Sequence, residues 1–87
     1  MSIPFHRLAA RQRRMLLEML ASERCGEDAL HIGRFFGRDV TADGLCTQGL
    51  AVRLTPEALV FTDFGRHIAE RLATEIVLRS RAARLAS

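Results

Sequence analysis

Between Leu50 and Leu72 the hydrophobic repeat changes abruptly, and few folds accommodate that change. Leu50, Val52 and Leu54 alternate with Ala51, Arg53 and Thr55, the two-residue period of a strand with one buried face. Pro56 suits the second position of a four-residue type I turn, and Leu59-Val60-Phe61-Thr62 beyond it is rich in strand formers. Residues 50 to 62 therefore read as a β-hairpin. From Asp63, placed to cap a helix, the period becomes four: Phe64, Ile68, Leu72 and Ile76 form one apolar stripe on a helix reaching about Arg84. The earlier helices are expected to pack behind this unit and complete its core.

Those helices are less sharply marked. From Arg7 the residues Leu8, Met15, Leu16, Met19 and Leu20 fall mostly on one face of a first helix. It should end near Ala21 or Ser22, with Gly26 suited to the left-handed position after a helix. A second helix is expected from about Glu27 to Phe36, with two acids in its first turn and Ala29, Ile32 and Phe36 on one face. Residues 37 to 44 read as a turn, or as a brief helical turn capped by Thr41. No repeat or linker divides the chain, so residues 1–87 form one α+β domain: an N-terminal helix, a short central helix, a hairpin and a long C-terminal helix. A domain of this length buries only about 60 to 65% of the surface its unfolded chain exposes, so self-association would be a natural source of added stability.

Composition narrows the function classes. Hydrophobic residues make up 48% and charged residues 26%, values of an ordinary folded domain. No apolar run approaches the ~20 residues of a membrane span, and a cytoplasmic protein is expected. Cys25 and Cys46 lack a C-x-x-C spacing and read as reduced thiols. No nucleophile, phosphate-loop or metalloprotease motif occurs, and Cys25, His31, Cys46 and His67 do not have the spacing of a zinc site. We therefore expect no catalysis, no metal and no cofactor. All 13 basic residues are arginine, and Lys, Asn, Tyr and Trp are missing, a bias that GC-rich coding produces without any functional demand. The placement of charge says more: residues 1–22 and 65–87 each carry a net +3, and the middle of the chain is slightly acidic.

The stretch Leu54-Thr55-Pro56-Glu57 followed by Phe61-Thr62-Asp63-Phe64-Gly65-Arg66-His67-Ile68-Ala69-Glu70-Arg71-Leu72 resembles the wing and following helix of bacterial winged-helix regulators of the multiple-antibiotic-resistance-regulator and PadR kind. The likeness covers about a fifth of the chain. It implies a winged-helix-like domain whose hairpin is the wing and whose last helix dimerises. Such regulators place a recognition helix of about ten residues ahead of the wing; here Thr41 to Gly49, interrupted by Gly44, is what stands in that place.

The resemblance implies double-stranded DNA as partner and a homodimer as the working form. Arg11, Arg13 and Arg14 would neutralise phosphates, and Arg53 would do so from the hairpin tip. Arg34, Arg38, Thr41, Thr47 and Gln48 are the polar residues placed to reach base edges. The competing reading of each is local: a solvated helix face for the first cluster, pairing with Glu57 for Arg53, and pairing with Asp39 or Asp43 for Arg34 and Arg38. Phe35, Val77 and Leu78 are apolar residues in excess of what one domain covers, and they are candidate interface anchors. The alternative function is a small protein-binding module or inhibitor, phage-encoded for example, on a similar scaffold.

Overall fold

The computed structural model describes residues 8–32 and 36–86. Its elements follow in the order α1 (Ala10–Arg24), β1 (Leu30–His31), α2 (Phe36–Thr47), β2 (Ala51–Thr55), β3 (Ala58–Phe61) and α3 (Asp63–Ala86). The three strands form one antiparallel sheet in the order β1-β3-β2.

On α1 the buried residues are Met15, Leu16, Met19 and Leu20, pairs four apart that bring one stripe of the helix to the core. Gln12 accepts the Ala9 N–H at 3.1 Å and ties off the amino end. The carboxyl end closes through Gly26, at φ +87°: its N–H donates to the Glu23 carbonyl, and the Glu27 N–H donates to that of Ser22, each at 3.0 Å. This is the paired 5→2 and 6→1 arrangement that a left-handed glycine permits, and it reverses the chain where Gly26 was expected to do so.

The expected helix from Glu27 to Phe36 is corrected over its described part. Residues 27–29 are turn, and Leu30–His31 form β1, pairing Leu30 with Leu59 and His31 with Ala58. Leu30 is half-buried, His31 exposed and Ile32 buried, a two-residue alternation. The open edge of β3 supplies backbone partners here, including the Glu57 carbonyl that accepts the Ile32 N–H at 2.9 Å, and those bonds win over a weak helical pattern.

The second helix lies later, across residues expected to form a turn. On α2, Thr41, Ala42 and Leu45 are buried, a helical i, i+1, i+4 set. Gly37 and Gly44 weaken helical propensity by about 1 kcal/mol each, but both face α1. A Cβ at Gly37 would lie 3.7 Å from the Arg11 guanidinium, and one at Gly44 only 2.5 Å from the Gln12 amide. Both glycines lie on the side of α2 turned to α1 side chains, and burial of Ala42 and Leu45 offsets their intrinsic penalty. Gly49, at φ +76°, ends α2 with the same paired bonds as Gly26: its N–H reaches the Cys46 carbonyl and that of Leu50 reaches Leu45, both at 3.0 Å. Leu45 and Leu50, the two side chains such a turn brings together, are both fully buried.

The hairpin forms where expected, but its faces are reversed beyond Leu50: Ala51 is buried, whereas Val52 and Leu54, expected on the buried face, are 49% and 61% exposed. Its register pairs Ala51 with Phe61, Val52 with Val60 and Arg53 with Leu59, and an irregularity between Arg53 and Thr55 accommodates the Pro56-Glu57 turn. The start of α3 differs in one detail. Thr62 is the capping side chain: its Oγ1 accepts the Gly65 N–H at 2.9 Å and donates to the Gly49 carbonyl at 2.7 Å. Asp63 is the first helical residue, where its negative charge suits the helix dipole.

The core gathers Leu16 from α1, Ile32 after β1, Leu45 from α2, Leu50 before β2, Leu59 from β3 and Ile68 from α3, all essentially free of solvent. Every buried residue of α3 lies at or before Leu72. Beyond Glu75 its described side chains are exposed, so the distal half of the helix extends past the core of a molecule 44 Å in its longest dimension.

Candidate functional site

Close approach of α1 and α2 leaves a cleft of about 360 Å³ between their solvent edges, lined by Arg11, Arg14, Met15, Glu18, Gly37, Arg38 and Thr41. The α1 residues follow an i, i+3, i+4, i+7 pattern and share one face. Met15 and Thr41 are the buried members, and the arginines stand around the opening. The amino-terminal turn of α2 forms one wall, so its positive dipole end adds to the arginine charges.

The three arginines are not equivalent. Arg38 donates through Nε to the Ile32 carbonyl at 3.0 Å and pairs with Glu18 at 3.2 Å. It holds α1, α2 and the end of β1 together, and its charge is paired with the Glu18 carboxylate. Arg11 and Arg14 are exposed and have no hydrogen-bond or ion-pair partner among the described residues. The Arg11 guanidinium lies over Gly37, where a Cβ would be in ordinary contact with it at 3.7 Å. Arg13, half-buried on another side of α1, does not line the cleft. The cleft therefore offers an anion the exposed guanidiniums of Arg11 and Arg14, with Arg38 held in place beside them.

Two expected base-reading groups are engaged internally. Thr41 is buried, and its hydroxyl donates to the Gly37 carbonyl at 2.9 Å. Gln48 donates to Gln12 at 3.3 Å, bracing the end of α2 against α1. Arg34 and the expected anchor Phe35 lie outside the described residues.

Arg53 is the most heavily bonded arginine on the surface. Its Nη2 lies 2.8 Å from Asp39 and 2.7 Å from Asp43, its Nε reaches Asp43 at 3.2 Å, and it also donates to the Asp39 and Pro56 carbonyls. The guanidinium is held above its ordinary pKa, first by the hydrogen bond to Asp43 and then by Asp39. The hairpin is thereby clamped to α2, and the outer face of α2 is left acidic. Around this clamp a second hollow of about 450 Å³ is lined by Asp39, Asp43, Arg53, Leu54, Thr55 and Pro56, and Val40, Val52 and Leu54 are exposed on the same elements.

An ion pair with no sequence signal joins the ends of α1 and α3. Arg66 meets Glu23 through two nitrogens at 2.9 and 3.2 Å and lies 5.9 Å from the Phe61 ring centre. The partners are 43 positions apart, and only the crossing of α1 and α3 makes them neighbours. Val77 and Leu78 are each more than half exposed on the distal part of α3.

Comparison with family models, curated proteins and solved structures finds no match. Among the described residues no group of three metal-ligating side chains converges, and no helix is long and apolar enough to cross a membrane. Cys25 is an exposed thiol; Cys46 is half-buried, and burial pushes its pKa up against a smaller opposing pull from Arg53. The site with the most developed chemistry is therefore the arginine cleft between α1 and α2.

Proposed function

We propose that this domain binds nucleic acid by gripping phosphates, on a winged-helix-like scaffold, with little direct reading of bases. The observation that carries the reading is the α1–α2 cleft, where Arg11 and Arg14, without a hydrogen-bond or ion-pair partner among the described residues, stand beside the positive end of α2. Phosphate contacts position a protein on a duplex without reading its sequence. Support for the scaffold comes from the hairpin that feeds straight into α3 and from the helices packed behind it. A helix-turn-helix needs two helices joined by a turn ahead of the hairpin; the described residues between β1 and β2 hold one, α2. Its outer face carries Asp39 and Asp43, which disfavours insertion into a groove and favours backbone gripping from α1.

A salt titration of binding to random duplex DNA tests this. Two or three neutralised phosphates imply a log-log slope of about −2 to −3, and replacing both Arg11 and Arg14 by Gln should bring it close to −1. Absence of binding at low salt would remove the proposal.

A second reading, a protein-binding module or inhibitor, is favoured by a different face. Val40, Val52 and Leu54 are exposed around an acidic clamp, a combination suited to a partner segment that is both apolar and basic. In that case Leu54→Ala would weaken partner capture and leave any DNA titration unchanged.

A further inference from the structure

The α1–α2 cleft is a pocket as well as a charged surface. Its volume of about 360 Å³ falls within the roughly 300 to 1,000 Å³ of pockets that enclose a small organic molecule, more space than the oxygens of one phosphate require. The exposed charges of Arg11 and Arg14 stand at its rim. Below them Met15 is buried, and the Thr41 hydroxyl is already donated to the Gly37 carbonyl, so the floor offers mainly apolar contact. Gly37 is exposed and brings no side chain into the space.

Arg38 supplies a flat wall. It donates through Nε to the Ile32 carbonyl and pairs through Nη2 with Glu18. The N–H donors of a guanidinium lie in its plane, so both ties run edgewise: they stop the group from rotating and leave its faces outside those bonds. A planar cation held in this way is a stacking surface for an unpaired base. Arg11 and Arg14 stand one turn apart on α1, with Cβ atoms about 5 to 6 Å from each other, a separation that suits successive phosphates of one strand.

We propose that the cleft holds one unpaired nucleotide, its base against Arg38 and over Met15 and its flanking phosphates on Arg11 and Arg14, so that the preferred ligand is a single strand of nucleic acid and not a duplex. The inference deepens the phosphate-gripping reading and rests on it. Base faces in a duplex are covered by stacking, and extruding one costs unpairing energy; a single strand presents them freely. The backbone of a duplex can still reach the rim arginines, but it leaves the floor of the cleft unfilled.

The test measures, by fluorescence anisotropy at low salt, binding of the full chain to an oligodeoxythymidylate of about 12 nucleotides, an abasic strand of the same length and a duplex of random sequence. The oligothymidylate should bind about tenfold more tightly than the duplex. The abasic strand, which keeps every phosphate, should bind about fivefold more weakly than the oligothymidylate. Gly37→Leu fills the cleft at a helical position where leucine is the better helix former. It should weaken oligothymidylate binding about tenfold and duplex binding less than about twofold, because phosphate contacts at the rim remain, with unchanged circular dichroism. The abasic comparison needs no variant and decides the question even should Gly37→Leu fail to fold. Equal affinity for oligothymidylate and duplex, an abasic strand that binds as tightly as the oligothymidylate, or a folded Gly37→Leu chain with wild-type affinity for it would each overturn the single-strand assignment and leave phosphate gripping standing. Failure of all three ligands to bind would remove both.

Discussion

Gly65 occupies a position where a methyl group cannot go. A Cβ there would fall 1.7 Å from the Leu50 carbonyl oxygen and 2.6 Å from its carbon, and neither atom can retreat, because the same oxygen accepts the Thr62 N–H at 3.2 Å where sheet and helix join. Gly44 also meets an obstacle at 2.5 Å, but that atom is the terminal amide of Gln12, which can swing away. The two glycines should answer the same substitution in opposite ways. Gly65→Ala is expected to destabilise the domain by about 3 to 5 kcal/mol through forced separation of α3 from the sheet. Gly44→Ala should fall within about 1 kcal/mol of the wild type, because gained helical propensity offsets the displaced Gln12. Urea unfolding of the two variants measures both. Arginine shows the same dependence on surroundings: Arg38, Arg53 and Arg66 are structural ties held by carboxylates, whereas Arg11 and Arg14 have no such tie among the described residues.

Among the elements, helix ends decide where the chain turns. Both α1 and α2 exit through a glycine at positive φ with the same pair of backbone bonds, and α3 enters through Thr62. The Thr62 hydroxyl caps α3 and also binds the carbonyl of Gly49, so one side chain fixes the end of α2 relative to the start of α3. Thr62→Ala should cost about 1 to 2 kcal/mol, whereas Thr62→Ser, which keeps the oxygen, should cost less than half as much. Thermal unfolding followed at 222 nm distinguishes the two. The position of α2 shows the limit of local pattern reading. Gly37 and Gly44 look like breakers, and Glu27-Asp28 looks like a helix start, yet the helix forms around the glycines because α1 lies against them. The strand β1 spans only two residues and exists because β3 has an edge to offer, which no window of sequence around Leu30 could reveal.

For the molecule as a whole, the core takes up only the first half of the longest element. The first half of α3 closes the core through Ile68, Ala69 and Leu72; its second half contributes no buried residue among those described. A chain ending at Leu78 should therefore keep the wild-type fold, with a melting midpoint lowered by no more than a few degrees at a concentration where both chains are monomeric. Calorimetry of the truncated chain tests this, and a loss of cooperative unfolding would show that the distal helix supports the core.

By itself the sequence determined the elements whose signals are local. The alternation from Leu50 to Leu54, the Pro56 turn, the four-residue stripe from Phe64 to Leu72 and the exit at Gly26 each depend on a few neighbouring side chains and on the conformations those residues permit. The single α+β domain follows from them. Tertiary structure alone decided what depends on distant partners: that residues 36 to 47 are helical despite two glycines, that Leu30 and His31 add a third strand, and that Arg53 is bound to Asp39 and Asp43. It also decided that Arg11, Arg14, Arg38 and Thr41 border one cleft. The physical reason is that propensity acts over a turn or a strand, whereas burial and ion pairing reward contacts between segments far apart in the chain, and in a small domain those contacts outweigh the local preferences that a sequence displays.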